Sequence, residues 1–179
     1  MNTLTRAVEV AEFEVRSDGR TLEGTLMPWG QPASIVEPGG RYVEVFVRNA
    51  FDGTDPANVP LTRLHPRTGA DLPIGVGVEF DDQPARLRGA WHVSDVEEGN
   101  EVLQLARDKV PLGLSVGFAE VPGGSRWNHA RTRVERVRAT LDHVAVVRAP
   151  AYPGARITAV RGAQPLTLPR LRVARLRSA

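Results

Sequence analysis

Prolines and glycines interrupt this chain along its whole length. There are 14 prolines and 17 glycines among 179 residues. Proline removes a backbone hydrogen-bond donor and glycine favours turns, so the stretches between them are too short for long helices. Many of these stretches alternate apolar and polar residues, as β-strands do. The interruptions therefore predict a mainly β fold with a few helices (α+β).

The predicted strands are short and are bounded by turn-forming residues. They cover residues 8–15, 21–27, 42–47, 61–65, 74–80, 85–93, 114–121 and 141–147, and residues 132–140 also alternate. The segment 81–84 separates two of them and predicts a hairpin. One helix is predicted over 97–110, since Val102, Leu105 and Ala106 fall on one face. The pattern favours a barrel over a layered α/β sheet.

The chain contains no cysteine. A disulfide framework, a thiolate zinc site and a cysteine nucleophile are therefore excluded. The histidines, at positions 65, 92, 129 and 143, have no i, i+4 pair of the kind that holds zinc on a helix. We accordingly expect no metal and no cofactor.

No apolar run approaches the roughly 20 residues that span a bilayer, and residues 1–16 do not resemble a signal peptide. The sequence predicts a protein of the cytoplasm that is neither secreted nor bound to membranes.

The end of the chain is basic. Residues 156–179 contain six arginines and no acidic residue. Because this stretch is also interrupted by Gly162, Pro165 and Pro169, we expect residues 162–179 to form a flexible basic tail. Arginine is preferred over lysine throughout the chain, which favours a bias of the coding sequence over binding of nucleic acid.

Residues 113–117 read Gly-Leu-Ser-Val-Gly and so fit the G-x-S-x-G pattern of α/β-hydrolases. In those enzymes the serine lies at a turn from strand to helix, whereas here the predicted helix precedes Ser115 and a strand follows it. The position of the predicted helix therefore argues against the α/β-hydrolase fold, but Ser115 remains a candidate nucleophile. The flanking glycines indicate close approach of another backbone or a ligand. A structural serine in a strand fits the same letters.

A serine nucleophile needs a base within hydrogen-bond reach. His65 ends a predicted apolar strand at the edge of a polar loop, which suits an accessible base. His143 lies inside the apolar strand 141–147 and so requires a polar partner. A surface histidine at position 65 and a satisfied core histidine at position 143 are the plain alternatives.

Four segments, in order, resemble the prohead (capsid maturation) serine proteases of tailed phages, which are related to the herpesvirus assemblin proteases. The resemblance rests on a Gly-Ala-Phe-like segment, an apolar strand with a histidine before Pro-Ile-Gly, a helix before Leu-Ser-x-Gly-aromatic, and a closing strand before Pro-Ala-x-Pro-x-Ala. These segments are 48–51, 61–65 with 73–75, 100–103 with 112–118, and 141–147 with 150–155. The resemblance covers about residues 20–161, and we assign residues 1–161 to the protease domain.

The resemblance implies a herpesvirus-protease-like β-barrel surrounded by helices. It also implies a serine endopeptidase that acts inside the assembling prohead, in the host cytoplasm. By position, Ser115 matches the nucleophile, His65 the base and His143 the third catalytic residue. The implied partners are the major capsid protein with its scaffolding segment and the protease itself, and a homo-oligomer is compatible with this reading.

Two departures from the family concern the histidines. Pro66 follows His65, where the family often has Asp, and His143 stands where Glu is common. Neighbours on a strand point to opposite faces, so only one of Asp142 and His143 is expected to reach His65. The resemblance selects His143 and leaves Asp142 as the alternative.

Two other functions remain open at this point. A chymotrypsin-like protease has the same order of His, Asp and Ser, but it requires a different nucleophile loop from the one around Ser115. A non-catalytic β-barrel associated with capsid or scaffold, with a basic binding tail, belongs to another class. Only an activated serine reacts with a fluorophosphonate, so labelling would separate enzyme from binding protein.

Overall fold

The computed structural model describes residues 3–7, 19–66, 71–148, 152 and 154–161. The predicted strand 8–15 and the predicted tail 162–179 lie outside these residues, as does most of the segment 149–153. The division into a protease domain and a tail therefore stays a prediction.

Twelve strands and one α-helix make up the described part of the chain, together with a short 3-10 helix, Pro56–Asn58. The helix is α1 (Glu97–Arg107). The strands are β1 (Thr3–Ala7), β2 (Thr21–Pro28), β3 (Ala33–Glu37), β4 (Gly40–Phe46), β5 (Pro60–Thr62), β6 (Gly75–Gln83), β7 (Arg86–Val93), β8 (Gly113–Glu120), β9 (Ser125–Trp127), β10 (Arg133–Arg136), β11 (Ala139–Val147) and β12 (Ile157–Arg161).

The main sheet has eight strands in the order β1-β8-β11-β5-β6-β7-β2-β12. Its pairs are antiparallel except for β5 and β11, which run parallel. The sheet curls, since a bridge between Gly113 and Arg156 brings the start of β8 to the residue before β12. A smaller sheet has the order β3-β4-β10-β9. The prediction of a mainly β fold with few helices is confirmed.

Aromatic side chains join the two sheets. Phe46 of the small sheet makes an edge contact with Phe118 of β8, with ring centroids 5.1 Å apart, and stacks on Phe51 at 5.0 Å. Tyr152 lies 6.0 Å from Phe46 and is fully buried. Each such aromatic pair adds about 0.5–1.5 kcal/mol beyond the area that it buries. These contacts hold β8 in place from the side of the core.

A buried ion pair reinforces the same junction. Arg136 of β10 and Glu44 of β4 are 1% and 0% exposed, and the Arg136 Nε donates to Glu44 Oε2 over 2.8 Å. Tyr152 donates its hydroxyl to the other Glu44 oxygen over 2.9 Å, and Arg136 also pairs with Glu120. Burial alone lowers the pKa of Arg136, but the two carboxylates outweigh it, and the pKa is raised. The guanidinium therefore stays charged inside the protein.

The helix and the end of one strand differ from the sequence predictions. Helix α1 ends at Arg107 rather than residue 110, because Lys109 adopts a left-handed conformation with φ 58° and Pro111 follows. It buries Leu103 in addition to Val102 and Ala106. No helix in the described part of the chain has the length and apolar character needed to cross a membrane.

Strand β5 ends at Thr62, so the prediction that His65 is the last residue of that strand is wrong. Arg63 and Leu64 are exposed rather than paired in the sheet. The backbone leaves the ladder before Pro66, which has no N–H to donate. His65 therefore lies on a loop that begins at the end of a strand.

Candidate active site

Three neighbouring strands of the main sheet carry or lead to the predicted site residues. Ser115 on β8 pairs with Ala145 on β11, and Gly117 pairs with His143. On the other side of β11, Thr62 of β5 pairs with Ala145 and donates its hydroxyl to the Val144 carbonyl over 3.3 Å. Strand β5 ends at Thr62, beside Ala145 of β11, and Ala145 is also the partner of Ser115. The loop that follows β5 and carries His65 therefore begins next to Ser115.

A bulge in β11 sets the direction of His143. The register shifts between Leu141, which faces Phe118, and His143, which faces Gly117, so β11 has one extra residue, Asp142. Residues 115 and 117 of β8 share a face because side chains alternate along a strand. Because His143 pairs with Gly117, its side chain lies on the same face of the sheet as Ser115, and it is 6% exposed.

The three predicted residues form one hydrogen-bonded series. The Nε2 atom of His65 lies 2.5 Å from Ser115 Oγ, and its Nδ1 atom lies 2.8 Å from His143 Nε2. The two imidazole rings meet edge to face, at 71° and 5.1 Å between centroids. We call this arrangement the Ser115–His65–His143 series. A base next to a serine, with a third group holding that base, is what serine nucleophiles require.

Asp142 contacts the other end of His143. Its Oδ2 atom lies 2.8 Å from His143 Nδ1, and its side chain is 56% exposed. The sequence analysis treated Asp142 and His143 as alternatives for one position next to His65. In the structure His143 takes that position, and Asp142 binds the nitrogen of His143 that points away from His65.

Burial lowers the pKa of His65. Ser115 is fully buried and His65 is partly buried. Burial first, and the nearby His143 second, lower the pKa of His65 from its ordinary value of 6.5 to about 4. Desolvation disfavours the imidazolium, so His65 is neutral near pH 7 and free to accept a proton.

A cleft of about 460 Å³ opens beside His65. Its walls combine apolar side chains with a few charged ones, and they are formed by Thr62, Arg63, Leu64, Asp71, Leu72, Pro73, Ile74, Val96 and Glu98. The cleft therefore places a mainly apolar surface with a few charged groups next to His65.

The remaining histidines do not join the site. His92 is exposed on β7 and His129 is exposed in the turn before β10. Within the described residues, no three His, Asp or Glu side chains converge as metal ligands.

A model of the caudovirus prohead serine protease family matches residues 6–167. The chain belongs to this family. The predicted family is thereby confirmed, and the protein is a serine protease with a role in capsid maturation, acting in the prohead within the host cell. No curated protein and no solved structure matches the chain. The matched residues of the prohead protease include β8, β11 and the loop after β5, which carry the Ser115–His65–His143 series.

Proposed function

We propose that this prohead protease is an endopeptidase in which Ser115 is the nucleophile, His65 the general base and His143 the residue that orients His65. The observation that supports these roles is the contact of Ser115 Oγ with His65 Nε2 at 2.5 Å, while His65 Nδ1 is held by His143 at 2.8 Å. The proposed substrates are the scaffolding segment of the major capsid protein and the protease itself.

The proposed chemistry is acyl transfer through a serine ester. His65 Nε2 takes the hydroxyl proton of Ser115 as Oγ attacks the peptide carbonyl carbon. His65 then gives this proton to the leaving amine, the C–N bond breaks, and the acyl group stays on Oγ. Water, deprotonated by His65, attacks the ester and releases the new carboxyl end and Ser115.

His143 supports this cycle as an acceptor. When His65 becomes imidazolium, its Nδ1–H points at His143 Nε2, which keeps the ring from rotating away from Ser115. A neutral imidazole has no fixed negative charge, so it orients the base but stabilises the imidazolium less than a carboxylate does. The lowered pKa of His65, about 4, keeps the base unprotonated at the start of each cycle.

The test is co-expression with the major capsid protein that is the proposed substrate, followed by intact-mass measurement of both chains. Ser115→Ala should abolish trimming, with a loss of about 10⁴-fold or more, as for other nucleophile knockouts. Ser34→Ala is the matched control, since Ser34 is exposed on β3 and outside the site. Melting curves of both variants check that the fold is kept.

Trimming by Ser115→Ala at a rate near wild type would overturn the proposed roles. Labelling with a fluorophosphonate offers an independent readout, because only a serine with an adjacent base reacts. Wild-type protein and Ser34→Ala should be labelled, and Ser115→Ala should not.

A further inference from the structure

We infer that Asp142 is a positioning residue that fixes the tautomers of both histidines and so keeps His65 in the form that can accept the Ser115 proton. The inference rests on the proposed function of the Ser115–His65–His143 series. It adds a fourth residue, which acts only through His143.

The carboxylate of Asp142 fixes the direction of every hydrogen bond in the series. An ionised carboxylate only accepts hydrogen bonds, so the 2.8 Å contact with Asp142 Oδ2 requires a proton on His143 Nδ1. In a neutral ring the other nitrogen, Nε2, is then an acceptor. It lies 2.8 Å from His65 Nδ1, which must therefore carry the proton. His65 Nε2 is left as the acceptor for the Ser115 hydroxyl at 2.5 Å.

Reversal of one tautomer would disable the base. If His143 carried its proton on Nε2, two N–H groups would face each other unless His65 moved its own proton to Nε2. His65 would then donate to Ser115 Oγ and have no lone pair for the hydroxyl proton. The carboxylate of Asp142 opposes this reversal, because its oxygen would lose its donor.

The bulge explains how neighbouring residues on one strand serve the same series. In a regular strand Asp142 and His143 would point to opposite faces. The register shift between Leu141 and His143 breaks the alternation at Asp142, whose carboxylate reaches back to the ring of the next residue. The extra residue thus places an acceptor beside His143 without occupying the buried face of β11.

The expected effect is moderate. Removal of a carboxylate that holds a metal-binding histidine from behind costs about 10- to 100-fold in metal affinity or activity, and Asp142 holds His143 by the same kind of hydrogen bond. Because Asp142 is 56% exposed, water can replace part of its contact with His143. We expect Asp142→Ala to lower kcat about 10-fold on a short peptide spanning the cleavage site, with KM unchanged, since Asp142 does not line the cleft beside His65.

The experiment compares four full-length variants. Asp142→Ala removes the acceptor, and Asp142→Glu restores a carboxylate that can bend to the same nitrogen and should recover most of the lost kcat. Thr140→Ala is the matched control, because Thr140 is exposed on the same strand two residues earlier. Ser115→Ala reports on the proposed function itself. If Asp142→Ala does not fold, Asp142→Asn keeps the shape but can accept or donate a hydrogen bond, so it no longer fixes one tautomer of His143 and should lower kcat by less than about 10-fold while still shifting the tautomer.

A second readout needs no substrate. In ¹⁵N spectra of the imidazole nitrogens, wild-type His143 should be protonated at Nδ1 and unprotonated at Nε2, and Asp142→Ala should shift this population toward the other tautomer. A merely structural carboxylate would leave the tautomer unchanged.

The outcomes separate the two proposals. Loss of kcat with Asp142→Ala, recovery with Asp142→Glu and a shifted tautomer support the inference. Activity of Asp142→Ala within twofold of Thr140→Ala, with Ser115→Ala inactive, would overturn the role of Asp142 and leave the proposed function intact. Activity of Ser115→Ala would instead overturn the proposed function.

Discussion

The imidazole ring of His143 occupies the space that a side chain at Gly117 would fill. A Cβ atom placed on Gly117 would overlap the Cε1, Nδ1 and Nε2 atoms of that ring. The two residues face each other across the pair of β8 and β11. The glycine two positions after Ser115 is therefore the gap into which the partner of His65 fits.

Gly117→Ala should displace His143 and lower kcat by about 100-fold, because a shift of roughly 1 Å in a positioned group costs that much. The measurement is steady-state cleavage of a peptide that spans the capsid cleavage site. Gly39→Ala is the control, since nothing lies within 4 Å of a Cβ at that position and its backbone is not left-handed. In a His143→Ala background, Gly117→Ala should add little further loss. A full additional loss there would show that the methyl group acts on something other than His143.

His143→Ala should lower kcat by about 10- to 1000-fold, less than loss of His65, because a third residue orients the base rather than reacting. His143→Glu supplies another acceptor in the same gap and should keep substantial activity. His92→Ala, an exposed histidine on β7, is the control. Inactivity of His143→Glu equal to that of His143→Ala would contradict the orienting role.

Peptide cleavage should persist at acidic pH. The pKa of His65 is lowered to about 4, so the base loses its lone pair only as the pH falls through that value. The acid limb of kcat/KM, which reports the free enzyme, should therefore have its midpoint near pH 4 rather than 6.5. Circular dichroism at each pH separates protonation from unfolding. A midpoint near 6.5 with the fold intact would contradict the assignment.

Removing one partner of the buried Arg136–Glu44 ion pair should lower the free energy of unfolding far more than removing one partner of an exposed ion pair. Glu44→Gln leaves Arg136 charged and poorly compensated, and it should lower the free energy of unfolding by about 3–5 kcal/mol. Glu135→Gln removes the partner of Arg133 in a pair that is 44–45% exposed, and it should cost less than about 1 kcal/mol. Urea titrations measure both. Equal losses would show that burial does not determine how much each ion pair contributes to stability.

Regular strands with alternating or continuous apolar residues were predictable from the sequence. The hairpin of β6 and β7, the buried strands β8 and β11, and the amphipathic helix α1 all follow local rules of spacing and turn chemistry. Four short strands, β1, β3, β9 and β12, were missed. Strands β1 and β12 depend on pairing with distant segments, β8 and β2. Strands β3 and β9 pair with the strands that follow them, β4 and β10, but are too short to give a clear alternating pattern of their own.

Within the site, the resemblance selected Ser115, His65 and His143, and the structure brings these three together. The contact of Asp142 with His143 was not predictable, because it depends on a bulge that strict alternation along β11 does not allow. The glycine at position 117 did give a signal, since a glycine inside a strand indicates close approach of another group. The sequence could not tell that this group is an imidazole.

The parallel pairing of β5 with β11 also dictates when the site can form. Ser115 lies 50 residues from His65 in sequence, and His65 lies 78 residues from His143. Contacts across such separations form late, since the entropy of closing the intervening loops must be overcome first. A nascent chain that has not yet released residue 143 from the ribosome carries a serine and a histidine but no partner to align them. The Ser115–His65–His143 series therefore assembles only when the main sheet has brought β5, β8 and β11 together.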